Sequence, residues 1–272
     1  MDYINANDFK VSCIGFGTHL IGGKFNPDYS DDEKYIKIIR EAISLGVNHI
    51  DTSEVYGEGH CEEIIGKAIS VLDRDNIFLA SKVWSDNLSH DSLFKSLNSS
   101  LSRLGVDYID LYYIHYPNPK IDLKDTMLAL KEAKDLGLIK NIGVSNFSKE
   151  LLIESNSYCK VSFVQNAFDI SDKSCMELFN FCQDNEIIFV AFKPFGKGSF
   201  FKNNNEIINS ISVRYNKTPA QVMLNWLIAH KNLITIPRVS SLEHLKENID
   251  SCGWKLNKED FDLISNSFLA SK

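Results

Sequence analysis

Short apolar runs recur along the chain, and most of them stop at a polar or ionisable residue. Val47-Asn48-His49-Ile50 stops at Asp51, Ile77-Phe78-Leu79-Ala80 leads to Lys82, and Ile109-Asp110-Leu111-Tyr112-Tyr113-Ile114 stops at His115. Runs this apolar suit strands of a parallel sheet covered on both faces. Between them the spacing changes to that of a helix. Ile36, Ile39 and Ile43 fall on one face of residues 31–44, with Asp31 or Ser30 as N-cap and Gly46 beyond the end. Further helices are predicted at about 60–71, 90–104, 122–137, 148–158 and 172–184. Tyr3-Ile4 and Lys10-Val11 flank the turn-rich Asn5-Ala6-Asn7-Asp8, which predicts an opening hairpin. Cys13 to Gly17, Ile139 to Val144, Val161 to Val164, Ile187 to Val190 and Leu233 to Ile236 complete a set of eight strands.

Asp51, Lys82 and His115 stand 31 and 33 residues apart. One strand plus one helix of a (β/α)8 barrel takes roughly 30 residues, from ~250 over eight units. Residues closing successive strands then converge on one mouth. A doubly wound open sheet is the competing architecture, but the first strand–helix turn lacks Gly-x-Gly-x-x-Gly. The expected fold is α/β, a single (β/α)8 TIM barrel with an N-terminal β-hairpin, and all 272 residues fit one such domain. Lys202-Asn203-Asn204-Asn205 reads as a short loop insertion.

Composition narrows the class of function. A formal net charge of −7 argues against non-specific binding to nucleic acid or anionic membrane, while leaving room for a local basic pocket. Residues 1–8 lack the basic and apolar segments of a signal peptide, and no apolar run reaches the ~18 residues of a membrane span. A cytoplasmic location is expected. The six cysteines are widely spaced without Cys-x-x-Cys, so free thiols are expected. His-x-x-x-His and His-Glu-x-x-His are absent, and no metal is expected.

Tyr56 follows Asp51 closely, and the four residues suggest chemistry. A free phenol has a pKa of about 10. An ammonium beside it favours the phenolate, so Lys82 is expected to lower the pKa of Tyr56 and make it a usable proton donor. A buried lysine needs a carboxylate, which Asp51 supplies. His115 is placed to hydrogen-bond a carbonyl oxygen. This set suits reduction of a carbonyl, with Tyr56 protonating the oxygen as hydride reaches the carbon.

The resemblance to a known family becomes specific in the motifs. His49-Ile50-Asp51-Thr52-Ser53-Glu54-Val55-Tyr56-Gly57, Ala80-Ser81-Lys82-Val83-Trp84, Tyr113-Ile114-His115-Tyr116-Pro117 and Ile142-Gly143-Val144-Ser145-Asn146-Phe147 resemble aldo-keto reductase motifs, in family order. The similarity runs from about Gly15 to Asn248. It implies NAD(P)H-dependent reduction of an aldehyde or ketone, with Asp51, Tyr56, Lys82 and His115 as the tetrad. Ser145, Asn146 and Gln165 would bond the nicotinamide carboxamide, and Phe192 would stack on the ring where the family usually has tyrosine. Gly17 and Thr18 at the first strand end, and Lys193 and Pro194 after Phe192, belong to the same implied cofactor site. Lys193 departs from a common serine. Arg238, Ser240, His244, Glu247 and Asn248 resemble the family's adenosine-end motif, with His244 replacing a frequent arginine or glutamine. Arg238 and Lys246 favour NADPH, since a guanidinium suits a 2′-phosphate, with NADH also possible.

His19, Trp84 and Tyr116 follow strand ends and are candidates for the substrate pocket; a packed rim tryptophan would look the same as Trp84 in sequence. Singly, Asp51 reads as an N-cap and His115 as a buried core histidine; together they read as a site. The chain ends soon after a last helix around 260–267, which leaves little for a long lid and suggests an open pocket and broad or sizeable substrates. A small-molecule carbonyl partner and a monomer are expected. Two other readings remain open: a cofactor-binding regulatory subunit of the same fold with little turnover, and a lyase-type enzyme using the same tyrosine and lysine.

Overall fold

The computed structural model describes residues 1–169, 174–198, 200 and 205–270. An antiparallel hairpin, β1 (Tyr3–Ala6) and β2 (Phe9–Ser12), opens the chain, with Asn7 in its turn at φ 54°. Eight parallel strands follow in sequence order: β3 (Phe16–Gly17), β4 (His49–Asp51), β5 (Phe78–Val83), β6 (Ile109–Ile114), β7 (Ile139–Ser145), β8 (Phe163–Ala167), β9 (Ile188–Phe192) and β10 (Leu233–Ile236). Parallel bridges Ile14–Thr235 and Gly17–Arg238 join the first strand to the last and complete the ring. The expected barrel with its N-terminal hairpin is therefore the observed fold.

The helices lie outside the ring: α1 (Asp32–Ser44), α2 (His60–Ile69), α3 (His90–Leu104), α4 (Leu123–Asp135), α5 (Lys149–Tyr158), α6 (Met176–Asp184), α7 (Glu206–Tyr215), α8 (Pro219–Ile228), α9 (Leu242–Ile249) and α10 (Lys258–Ala270). Their caps follow local chemistry. Asp122 accepts from Lys124 N, Ser148 from Leu151 N, and Thr218 forms a capping box with Gln221. Asp31 caps α1 by position, without a side-chain bond to its amides. Of the predicted helix at 172–184, residues 172–173 lie outside the described residues, as do 202–204 of the predicted insertion. Asn205 caps α7 through Ile208 N.

Two apolar layers set where the site falls. One, including Ile39, Ile65, Leu97, Leu130 and Phe189, packs strands against helices. The other fills the ring itself with Phe78, Ala80, Leu111, Tyr113, Phe163, Ile188, Val190, Ile234 and Ile236. Ala6, Phe9 and Val11 of the hairpin join this inner layer at its base, where Phe9 meets Phe78 at 5.6 Å. Side chains alternate across a strand with period two. Continuing the inner series upward from 78 and 80 gives Lys82; from 111 and 113, His115; from 163, Gln165; from 188 and 190, Phe192; from 234 and 236, Arg238. The layer beneath is tightly fitted: a Cβ on Gly143 would lie 2.4 Å from the Tyr113 ring.

The first strand is shorter than predicted. Cys13 to Gly15 sit at the seam, where pairing passes through single bonds such as Gly15 N to Thr235 O at 2.8 Å. All six cysteines are free. Among the described residues no helix is long and apolar enough to cross a membrane.

Candidate active site

At the C-terminal end of β5, Lys82 is fully buried, and its ammonium donates to Asp51 Oδ1 at 2.6 Å and to the Thr52 carbonyl at 2.7 Å. The other Asp51 oxygen accepts from Gln165 Nε2, also at 2.6 Å. A buried ion pair holds only when its remaining lone pairs are satisfied, and Gln165 supplies that contact. The Lys82 ammonium lies 5.4 Å from the centre of the Tyr56 ring and 5.8 Å from that of Tyr113.

Tyr56 stands on a tight turn after β4. Gly57, Glu58 and Gly59 there take φ of 56°, 54° and 93°. A Cβ on Gly57 would meet the Gly22 carbonyl at 2.1 Å, so glycine lets this turn lie against the loop after β3. The His19 and His115 rings approach Tyr56 edge-on at 5.3 and 5.9 Å. The expected lowering of the Tyr56 pKa is not found. Burial pushes the phenol well above its usual range, and the Asp51 carboxylate adds to the rise. The Lys82 ammonium, bonded to Asp51 and Thr52, does not offset that burial. The phenol is thus held protonated.

His115 at the end of β6 is held neutral: burial, then the Lys82 charge and His19, push its pKa down to about 2. Its Nδ1 is 2.9 Å from Ser53 Oγ. Trp84 packs edge-on to it at 5.3 Å, and Tyr116 stacks at 5.2 Å with 40% of its surface exposed. Glu54 accepts from Trp84 N at 2.6 Å and from Asn87 Nδ2 at 3.1 Å, bracing the loop that carries the indole. His19, Trp84 and Tyr116 therefore stand beside Tyr56 and His115. Trp226 and Trp254 pack elsewhere, against Phe168 and Tyr215.

The remaining candidates fall into three groups. Ser145 ends β7, and Asn146 follows at φ 59°, donating to the His115 carbonyl and to Ser145 Oγ. Gln165 faces Asp51 through its Nε2. Half-buried Phe192 ends β9 with the Lys193 ammonium 4.9 Å from its ring centre, and Pro194 is buried behind them. Gly17 meets Arg238 at the seam, and Thr18 Oγ1 donates to the Asp51 carbonyl at 2.8 Å. Arg238 is exposed, and Ser240 bonds His244 Nδ1 at 3.0 Å before α9. Glu247 accepts from Thr218 Oγ1 at 2.9 Å. Asn248 is buried with its Nδ2 unpartnered among the described residues.

Ser53, Glu54 and Thr52 stand in the sequence only as letters of a motif. Their partners lie 30 or more residues away, so spacing alone carried no sign of these bonds.

A ring of eight parallel strands with a buried lysine–carboxylate pair, a tyrosine and a histidine at its C-terminal mouth places the chain among barrel enzymes. Residues 13–267 match the model of the aldo/keto reductase family, and the chain belongs to that family of oxidoreductases. It is 27% identical over 276 residues to methylglyoxal reductase YeaE of Escherichia coli (strain K12), covering 98% of this chain and 94% of that protein. Glyoxal reductase of Bacillus subtilis (strain 168) is 33% identical over 229 residues, covering 83% and 80%. The thermostable aldo-keto reductase Tm1743, crystallised with the inhibitor epalrestat, superposes with a TM-score of 0.93 at 38% identity, covering 98% and 99%. An aldo-keto reductase from Klebsiella pneumoniae in complex with NADPH superposes at 0.87 with 26% identity, covering 97% and 93%.

Proposed function

We propose that the protein reduces an aldehyde or ketone to an alcohol with NADPH, using Tyr56 as the general acid. The observation that carries this reading is the buried Lys82–Asp51 pair with Tyr56 and His115 beside it at the barrel mouth.

Several features of the chain fit the cofactor. The Asn248 amide is a buried donor without a partner among the described residues, which calls for an acceptor such as an adenine nitrogen. Arg238 is exposed beside the N-terminus of α9, where a guanidinium and helix amides together favour a 2′-phosphate. Phe192 offers a ring face for the nicotinamide, and Ser145 and Asn146 offer polar atoms for its carboxamide. Gln165 would join them through Oε1 while Nε2 stays on Asp51. When bound, the nicotinamide supplies the hydride.

The chain's own residues supply the rest. His115, neutral, orients the carbonyl oxygen. Tyr56, protonated at neutral pH, donates its proton to that oxygen as charge develops there. The Lys82 ammonium then stabilises the tyrosinate left behind, and Asp51 and Gln165 keep the ammonium in place. His19, Trp84 and Tyr116 shape the carbonyl's surroundings. The small dicarbonyls named in two relatives make a natural first panel, beside larger aldehydes, ketones and sugars.

The test is oxidation of NADPH by the purified chain across that panel, with the alcohol identified as product. Turnover with a stoichiometric alcohol is expected. Tight NADPH binding without turnover on any carbonyl would refute the reading.

A further inference from the structure

We propose that Ser53 is a positioning residue that fixes the tautomer of His115. It sets Nε2–H as the donor presented to a substrate oxygen. The proposal deepens the reading above, in which His115 orients the carbonyl.

The argument is one of accounting for protons. The His115 ring is neutral, so only one of its two nitrogens carries a hydrogen, and an unaided imidazole can place it on either. Nδ1 is 2.9 Å from Ser53 Oγ. Ser53 is fully buried, and Nδ1 is the one hydrogen-bond partner its hydroxyl has among the described residues. Two arrangements are possible. With Nδ1 protonated, that N–H donates to Oγ and the hydrogen of the fully buried serine meets no acceptor among the described residues. With Nδ1 bare, the serine hydroxyl donates to it and Nε2 carries the hydrogen.

The second arrangement satisfies the fully buried serine donor and moves the ring hydrogen to Nε2, which is not among the fully buried unpartnered atoms. An unmet buried donor shifts such an equilibrium by roughly 5- to 100-fold. Nε2 loses nothing either way, because it has no partner within the described residues. The imidazole ring lies among the Tyr56, Trp84 and Tyr116 rings, where a substrate oxygen would be received. Only a protonated Nε2 can donate to a carbonyl oxygen already accepting from the Tyr56 phenol.

The backbone supports the same role. Ser53 lies between Asp51, which anchors Lys82, and Glu54, which braces Trp84 through its amide. Its own carbonyl accepts from Tyr56 N at 3.1 Å. Serine at this point therefore ties the histidine of β6 to the turn that carries the tyrosine.

The experiment is nitrogen-15 NMR of the histidine rings in the wild-type chain at neutral pH, with His115 assigned by its loss in His115→Asn. The expected pattern is a protonated Nε2 and a bare Nδ1. A protonated Nδ1 in the wild type would overturn the proposal, and this outcome needs no substrate, so it stands apart from failure of the proposed activity. In Ser53→Ala the His115 signals should move toward a mixture of both tautomers. Its kcat/KM for a carbonyl should fall roughly 5-fold or more, with the Kd for NADPH unchanged. A Ser53→Ala chain matching wild type in both the His115 spectrum and kcat/KM would equally overturn it.

Discussion

Separating Lys82 from Asp51 should cost more than removing both. The ammonium and carboxylate are 2.6 Å apart with side chains 0% and 3% exposed, so a survivor of either substitution is left as a charge in the interior. Breaking a buried pair in this way costs about 3–5 kcal/mol. Asp51→Asn should fall at the upper end, because the ammonium then keeps only the Thr52 carbonyl as a strong acceptor. Lys82→Met should fall at the lower end, because Gln165 Nε2 still donates to Asp51. The Asp51→Asn/Lys82→Met double variant buries no charge and leaves the Gln165 contact intact, so its loss should be about 1–2 kcal/mol, the scale of one hydrogen bond. Urea unfolding of the four chains at neutral pH, read as a double-mutant cycle, measures the coupling. Additivity within about 0.5 kcal/mol would refute the claim that these two groups form one buried unit.

Two further outcomes follow from groups around that pair. His49 lies inside the barrel below Asp51, fully buried, with neither ring nitrogen partnered among the described residues, and burial pushes its pKa down to about 4. The unfolded chain therefore binds the extra proton between pH 6.5 and 4, and the stability His49 allows at neutral pH is lost as pH falls through that window. The wild type should lose about 2–3 kcal/mol more than His49→Leu between pH 7 and 4.5, measured by chemical unfolding; equal losses would count against it. Gln165→Met removes a donor from Asp51 Oδ2, so kcat should fall even at saturating NADPH. An unchanged kcat with weaker NADPH binding would confine Gln165 to the cofactor.

The barrel was legible because its pattern is local and repeated. Apolar runs ending at Asp51, Lys82 and His115, with helical spacing between, are properties of neighbouring residues. The inner alternation that carries Phe78 and Ala80 up to Lys82 is legible for the same reason. What spacing does not contain is the pairing of side chains across the mouth. Gln165 and Asp51 are 114 residues apart in sequence, and only the closed ring brings them together. The pKa of Tyr56 was misjudged for a related reason. Motif order puts a lysine near the phenol, but it carries neither the burial of the ring nor the nearness of the Asp51 carboxylate, which together raise the pKa. The first strand was overestimated because the seam pairs by single bridges, while Cys13 to Gly17 is as apolar as a full strand.

The central claim is that Tyr56 delivers the proton. Tyr56→Phe keeps the ring that packs against His19 and His115 and removes only the hydroxyl. Parallel measurement of carbonyl turnover and NADPH binding in this variant tests the claim most directly. The account predicts loss of nearly all turnover, about 100-fold or more as for removal of a general acid, with the Kd for NADPH close to wild type. A kcat near that of the wild type would contradict it.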